Sequence, residues 1–230
     1  MSDPVLGRCI GLVGGLGVGA TVHYYQELAK AHAARDRVLN LAMVHADVNR
    51  GLAMVQAGDR IGLAEYLAGL IAKLASAGTE FAVIPAVTPH FCIAELLPLS
   101  PLPLVNLVDV LQREIDARGL QRVALFGTRF TVQSGLFELL HGVEVITPAA
   151  AEIDFIHQTY MQLVNAGAGS QDQRESLTRL ARLLMERDGV EAIILAGTDL
   201  AVLFNESNTD FPHIDCARVQ LDAIMRRALE

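Results

Sequence analysis

Two segments of this chain have the same layout, one in each half, and they constrain the fold more than any other feature. The first is residues 81–90, FAVIPAVTPH, and the second is residues 191–200, EAIILAGTDL. Each pattern predicts a short buried strand that ends at small residues, reaches a threonine (Thr88 or Thr198) and then enters a helix. Apolar strands that alternate with helical stretches are typical of a parallel α/β architecture.

The repeated layout predicts an internal duplication. A glycine loop at residues 14–17 follows the first strand, and Gly127 follows a strand at the matching place in the second half. We therefore expect two similar parallel-sheet, flavodoxin-like subdomains related by pseudo-two-fold symmetry, formed by residues 1–105 with 214–230 and by residues 106–213. Ligands bind beyond the carboxyl ends of strands in open parallel sheets, so the site is predicted in the cleft between the subdomains.

Apolar periodicity also predicts the individual elements along the chain. The expected strands are residues 8–13, 39–46, 81–85, 104–106, 122–126, 143–146, 191–195 and 213–216. The expected helices are residues 20–35, 60–77, 89–97, 150–165, 172–188 and 217–229, with two more running up to residues 140 and 204.

The amino-acid composition limits which kinds of binding partner are expected. The net charge of −8 argues against nucleic acid or an anionic membrane as a partner, and leaves a small carboxylate open. Lysine occurs only at Lys30 and Lys73, so arginine supplies almost all of the positive charge. The planar arginine fork suits bidentate recognition of a carboxylate better than lysine does.

Three cysteines, Cys9, Cys92 and Cys216, include no close-set pair, so neither a disulfide framework nor a zinc site is expected. The sequence has no secretory signal pattern and no apolar stretch long enough to span a bilayer. These features predict a cytoplasmic protein that binds no metal and no membrane.

Several motifs, taken in order, resemble the aspartate/glutamate racemase superfamily, which includes hydantoin racemases. They are residues 14–21 (GGLGVGAT), residues 125–131 (LFGTRFT) and residues 214–216 (IDC), together with the two strand ends. The resemblance implies a cofactor-independent, PLP-free isomerase of amino acid metabolism. Family members usually carry one catalytic cysteine at each strand end, whereas this chain has Ala86 and Gly197 at those positions.

The resemblance also implies which residues hold the substrate carboxylates, through backbone N–H groups and hydroxyls. Carried over, these are Gly15, Leu16, Val87, Thr88, Thr128 and Thr198. Val87 stands where the family usually has asparagine, and residues 166–171 lack the family's lysine. Two polar contacts to an acidic amino acid are therefore missing.

Three arginines are further candidates for substrate binding. Arg50 or Arg60 could clamp a distal carboxylate, or their segments could be solvated loops. Arg129 follows Thr128 closely enough to help bind the substrate, or it could hold a neighbouring helix in place instead.

Without thiols at these two positions, the sequence does not identify the catalytic groups. Racemisation needs a base on one face of Cα and an acid on the other, and Ala86 and Gly197 offer neither a proton nor a lone pair. His90, Asp199 and Cys216 are the candidates to replace them. Each could instead have a structural role. His90 could hold the residues that contact the substrate without contacting the substrate itself, Asp199 could be a helix N-cap, and Cys216 could be a packed core residue.

Three functions remain open at this point. The first is a racemase-like isomerase acting on a small amino acid or dicarboxylate through a cysteine-lacking site. The second is a lyase, decarboxylase or hydrolase on the same scaffold, which Val87 would suit by favouring a less polar substrate. The third is a catalytically silent carboxylate-binding protein. The sequence does not give the oligomeric state, although the resemblance allows a homodimer.

Overall fold

The computed structural model describes residues 7–134, 136–166, 168–205 and 207–230. Residues 1–6 of the predicted first subdomain, and Gly167 of the predicted lysine-free loop, lie outside the described residues. The chain divides into two compact units. One contains the chain up to Leu107 together with Gln220–Glu230, and the other is Val108–Val219.

The first unit contains a three-stranded parallel sheet of β1 (Ile10–Gly14), β2 (Leu41–His45) and β3 (Phe81–Val83), in the order β2-β1-β3. Ile10 lies opposite both Leu41 and Phe81 in the two ladders. Its helices are α1 (Val18–Ala33), α2 (Val48–Gln56), α3 (Arg60–Ser76) and α4 (Ile93–Leu96), and a 3₁₀ turn spans Thr88–Cys92.

The second unit contains a four-stranded parallel sheet in the order β5-β4-β6-β7. The strands are β4 (Arg122–Phe126), β5 (Glu144–Ile146), β6 (Ala192–Leu195) and β7 (His213–Asp215). The helices numbered after α4 are α5 (Leu107–Arg118), α6 (Arg129–Gln133), α7 (Ala150–Ala166), α8 (Gln171–Asp188) and α9 (Cys216–Leu229), of which α9 runs on into the first unit. Further 3₁₀ turns span Leu136–Leu139 and Thr198–Val202.

The predicted fold class, two parallel-sheet α/β subdomains, is confirmed, because every strand pair in both sheets is parallel. The central strands β1 and β6 are buried along their whole length, as expected for strands covered on both faces. The observed division differs from the predicted boundaries at the second junction. Strand β7 pairs with β6, so it belongs to the second sheet, and the chain returns to the first unit only at Gln220.

Local structure departs from the predicted elements mainly at the strand ends. Both strand ends open into short 3₁₀ turns rather than full helices, which is a common way to connect closely spaced elements. Residues 104–106 form only an isolated bridge, between Leu104 and Ala82. Helix α5 was not predicted, and neither was α2, which begins at the N-cap Asp47. Within the described residues, no helix has both the length and the apolar character needed to cross a membrane.

A fully buried amide ties the first unit together. The Tyr24 hydroxyl on α1 donates to Gln220 Oε1 on α9 at 2.7 Å, and Gln220 Nε2 donates to the Val105 carbonyl oxygen at 3.0 Å. Gln220 is 0% exposed, so its amide exchanges water for these two protein partners. This side chain therefore joins two helices to the segment that follows β3.

We expect Gln220→Leu to lower the free energy of unfolding by about 2 to 4 kcal/mol, because both buried hydrogen bonds are lost while the Val105 carbonyl stays buried. Urea unfolding followed by circular dichroism measures the change. Gln26→Leu, at an exposed position of α1, is the matched control and should shift stability by less than about 0.5 kcal/mol. Equal effects of the two variants would contradict the role of Gln220.

Candidate functional site

The first strand end is apolar apart from one hydroxyl. After β3 the chain passes through the half-buried Ala86 and the buried Val87 into the 3₁₀ turn that begins at Thr88. The Thr88 hydroxyl forms no hydrogen bond with the part of the chain that the structure describes. It is therefore available to a ligand, whereas Ala86 and Val87 can contribute only apolar contact and backbone groups.

His90 is held by the backbone on both ring nitrogens and is 2% exposed. Its Nδ1 lies 2.9 Å from the Ala86 carbonyl oxygen, and the Leu107 backbone N–H donates to its Nε2 at 3.3 Å. A carbonyl oxygen can only accept and a backbone N–H can only donate, so the ring is the neutral Nδ1–H tautomer. His90 thus fixes the strand end to the start of α5, and its lone pair is already engaged.

The glycine loop after β1 is shaped by close contacts. Gly15 has a φ of +87°, and a Cβ there would lie 2.6 Å from the Ala46 carbonyl oxygen, so only glycine fits. Its backbone N–H donates to Thr21 Oγ1 at 3.0 Å, and the Thr21 hydroxyl donates to the Gly17 carbonyl oxygen at 2.8 Å. Helix α1 therefore holds the loop, and a carboxylate would have to share the Gly15 N–H with Thr21.

The loop after β4 is similarly occupied. Thr128 caps α6 by accepting a hydrogen bond from the Thr131 backbone N–H at 3.0 Å. The Arg129 guanidinium pairs with Asp154 of α7 at 2.7 Å, and its backbone N–H donates to His157 Nδ1 at 3.3 Å. These contacts fit the alternative in which Arg129 holds a helix in place.

The two arginines near α2 and α3 have different surroundings. Arg60 donates to the Phe91 carbonyl oxygen at 2.7 Å and lies 4.0 Å above the Phe91 ring, so it fastens the first 3₁₀ turn to α3. Arg50 is exposed and stacks 4.5 Å above the Tyr66 ring. No carboxylate of the described residues pairs with Arg50, which leaves its guanidinium free for an acidic ligand.

At the second strand end, an aromatic ring fills the space beside Gly197. The Gly197 backbone is extended, with φ of −162°, so its conformation does not require glycine. A Cβ built there would nevertheless lie 2.3 Å from Cε2 and 2.9 Å from the hydroxyl oxygen of Tyr160 on α7. The close approach of Tyr160, and not the backbone, is what excludes a side chain at position 197.

The Tyr160 hydroxyl donates to Asp199 Oδ2 at 2.9 Å. Burial, together with the negative charge of Asp199, raises the pKa of Tyr160 well above its usual value, so the phenol stays protonated. Among the described residues, the Asp199 carboxylate accepts the Tyr160 hydroxyl and no backbone N–H of the 3₁₀ turn, so the expected N-cap is not seen. The neighbouring Thr198 hydroxyl, like that of Thr88, has no hydrogen-bond partner among the residues described.

The cysteines are not activated. Cys216 is the first residue of α9 and is 1% exposed, and burial raises its pKa well above the usual value. Cys92 donates to the Pro89 carbonyl oxygen at 3.4 Å, and burial raises its pKa to about 12. Cys9 is half-buried, and its pKa is also raised. A thiolate is the reactive form, so none of these thiols is set up as a base near neutral pH.

The structure thus brings together Gly197, Thr198 and Asp199 with Tyr160, a residue that sequence reasoning missed. Tyr160 lies in the middle of a helix, distant in sequence from the strand end, and no local motif marks it. The glycine at position 197 was the one available signal, since it leaves room for a neighbouring side chain. In the described parts of the chain, no group of three or more His, Cys, Asp or Glu side chains is arranged to hold a metal ion.

The two parallel sheets with their threonine-bearing strand ends define a two-subdomain fold that solved racemase structures share. The crystal structure of a Yersinia pestis protein assigned as an Asp/Glu racemase matches with a TM-score of 0.85 and 25% identity, and the match covers 97% of this chain and 100% of that one. An aspartate racemase homologue from Pyrococcus horikoshii matches with a TM-score of 0.82 at 22% identity, covering 96% and 99% of the two chains. The aspartate racemase of Picrophilus torridus matches with a TM-score of 0.74 at 19% identity, and the match covers 96% of this chain and 94% of that one.

The family model described as Asp/Glu/Hydantoin racemase matches residues 13–224. The chain therefore belongs to the Asp/Glu/hydantoin racemase family, and the resemblance drawn from the sequence motifs is confirmed. Both strand-end positions and the glycine loop lie inside the matched region.

We expect Gly197→Ala to lower the free energy of unfolding by about 1 to 3 kcal/mol, because the added methyl would overlap the Tyr160 ring. Chemical denaturation measures the change. Gly69→Ala is the matched control: this helical glycine has open space around its Cβ position, and alanine there should stabilise by about 0.5 to 1 kcal/mol. A neutral Gly197→Ala would contradict the close contact.

Thiol labelling tests the state of the cysteines. At pH 7.5 in the folded protein, Cys9 should react with a disulfide reagent before the buried Cys92 and Cys216, because reaction requires an accessible thiolate. Cys92 should react more slowly than Cys9 at every pH at which the protein stays folded, because burial shields its thiol and raises its pKa. Mass spectrometry identifies the labelled residue, and rapid labelling of Cys216 at pH 7.5 would revive it as a candidate base.

Proposed function

We propose that the protein is a racemase-like isomerase that acts on a small amino acid or dicarboxylate and uses no thiol. The observation that carries the proposal is the pair of threonine hydroxyls, Thr88 and Thr198, one at each strand end of a chain in this family, which have no hydrogen-bond partner among the described residues. Both sit where parallel sheets bind ligands, beyond the carboxyl ends of β3 and β6.

Arg50 supports an acidic substrate. Its guanidinium is positioned by stacking on Tyr66, and it lacks a carboxylate partner in the described structure. Tyr66 is fixed in turn, because its hydroxyl accepts the Asp47 backbone N–H at 2.7 Å. A preorganised arginine in the first turn of α2, the helix that follows β2, can bind a distal carboxylate bidentately, which favours a dicarboxylate over a neutral amino acid.

The lack of activated thiols supports different chemistry from that of the two-cysteine enzymes. Ala86 and Gly197 have no ionisable group, and the buried Cys92 and Cys216 have raised pKa values. His90 uses both ring nitrogens on backbone groups. We therefore propose that proton transfer uses oxygen or imidazole groups in place of the usual cysteine pair.

A lyase or decarboxylase on the same scaffold is the second candidate. The apolar first strand end, with Ala86 and Val87, favours it, because a reaction that forms the carbanion by losing another group needs no base at that position. A silent carboxylate-binding protein is the third. Cofactor independence, a cytoplasmic location and a homodimer remain part of the proposal, and three free cysteines fit a reducing compartment.

Proton exchange at Cα tests the function. The protein is incubated in D₂O with L- and D-aspartate, L- and D-glutamate and a panel of neutral amino acids, and loss of the Hα signal is followed by NMR with chiral chromatography. We expect exchange with inversion, fastest on a dicarboxylic amino acid. Arg50→Ala should raise KM for that substrate about tenfold or more through loss of a charge-assisted contact, while kcat changes little.

Arg226→Ala, at an exposed position of α9, is the matched control and should leave both constants unchanged. Release of CO₂ or another fragment without exchange would establish the lyase alternative. Calorimetric binding of dicarboxylates without any turnover would establish the silent binding protein.

A further inference from the structure

Resting on the proposed function, we propose that Tyr160 is the catalytic residue of the second strand end, which donates its hydroxyl proton to the substrate carbanion. Asp199 is the positioning residue that orients this hydroxyl. The pair is built entirely within the second unit, from α7 and the turn that follows β6.

Space is the first argument. The family places a thiol at position 197, and its sulfur would stand one bond beyond the Cβ. Here that Cβ position lies 2.8 Å from Tyr160 Cζ and 2.9 Å from its hydroxyl oxygen. The tyrosine and a thiol would therefore occupy the same volume, so Tyr160 brings an O–H group to the place where the S–H group would be.

Orientation is the second argument. If Tyr160 only filled space, its buried hydroxyl would need a single hydrogen-bond acceptor, and any backbone carbonyl oxygen could be that acceptor. Tyr160 instead donates to Asp199, which is half-exposed and adjacent to the free Thr198 hydroxyl. The phenol is thus joined to an ionisable, half-exposed side chain, through which solvent can return a proton.

Rigidity is the third argument. Tyr160 is 8% exposed and packs in the core of the second unit with Leu195, Leu200 and Leu203. Its ring cannot change position without disturbing that core. A proton donor held in this way costs no reorganisation when charge develops on the substrate.

The proposed step is a single proton transfer. A general base of the imidazole or carboxylate class takes the Cα proton, and the electron pair of that C–H bond remains on the carbanion, stabilised by the substrate carboxylate. The Tyr160 hydroxyl then releases its hydrogen bond to Asp199 Oδ2 and turns toward the carbanion. Its O–H bond breaks, its proton forms the new C–H bond, and the O–H electron pair stays on the phenolate oxygen. Water returns a proton to the phenolate through Asp199, and the base releases its proton to solvent.

The high pKa of Tyr160 agrees with this direction of transfer. A phenol that stays protonated across the neutral range is ready as a donor in every turnover. It is still far more acidic than a carbon acid next to a carboxylate, so transfer to the carbanion is favourable. In the lyase alternative the same phenol would protonate the carbanion that remains after the fragment leaves.

Tyr160→Phe tests the donor, because it removes the hydroxyl and keeps the ring that fills the space beside Gly197. In the D₂O assay we expect exchange or turnover to fall by about 100-fold or more, with KM within about threefold of the wild type. Asp199→Asn, which still accepts the phenol proton, should lose about tenfold in kcat and alter the pH profile. Melting temperatures of both variants establish that they are folded.

The outcomes separate the two proposals. If the wild type is active and Tyr160→Phe keeps that activity within about threefold, Tyr160 only fills space. That result would overturn this inference and leave the proposed function standing. If Tyr160→Phe did not fold, wild-type kcat in Asp199→Asn would overturn it instead. A wild type without exchange or turnover on any substrate would overturn the proposed function and, with it, the catalytic role of Tyr160.

A thiol swap tests the spatial part without relying on the protein's own activity. The double variant Ala86→Cys, Gly197→Cys should fold poorly, and its new thiol at position 197 should be shielded from a disulfide reagent. Adding Tyr160→Ala should restore folding and make that thiol reactive, identified by mass spectrometry. Equal folding and reactivity with and without Tyr160 would show that the ring and the thiol do not compete for space, which would overturn the inference.

Discussion

The second unit depends on the close approach of the Tyr160 ring to the Gly197 backbone. The contact seats α7 on the end of β6 and places the ring in the core with Leu195 and Leu200. Because a Cβ at position 197 would overlap the ring, this packing of α7 requires glycine at that position. The hydroxyl of the same residue reaches Asp199, so the contact also sets the polar character of the site.

The two strand ends share a layout but have diverged in different ways. At the first, Ala86 retains a Cβ, and the nearby His90 is tied to the backbone by both nitrogens. At the second, the side chain is absent, and Tyr160 with Asp199 has taken its place. Each keeps an unpartnered threonine hydroxyl within the residues described, Thr88 and Thr198. The features common to both ends are therefore those that we propose bind a carboxylate, and those that differ are the ones that we propose move a proton.

The sequence predicts most of this fold, since the strands are short apolar runs whose burial in parallel sheets determines their composition. It predicts the site less well. Tyr160 meets Gly197 only through packing of α7 on β6, and the placement of β7 follows from its pairing with β6, so neither is visible in local sequence. For Arg129 and Asp199, the residue type is compatible with several partners, and only the structure shows Asp154 and Tyr160.

The contact at Gly197 also leaves no room for a thiol at this position while Tyr160 keeps its place. Returning a cysteine to position 197 would require Tyr160 to move out of a packed core, and small-to-large changes in such cores are costly. Residues in direct contact have coupled effects, so substitutions at Gly197 and Tyr160 are expected to be non-additive. The volume beside Gly197 is filled by a phenol that is hydrogen-bonded to a carboxylate, and this ordered polar pair is the reason why we propose altered chemistry at this strand end in preference to a silent binding protein.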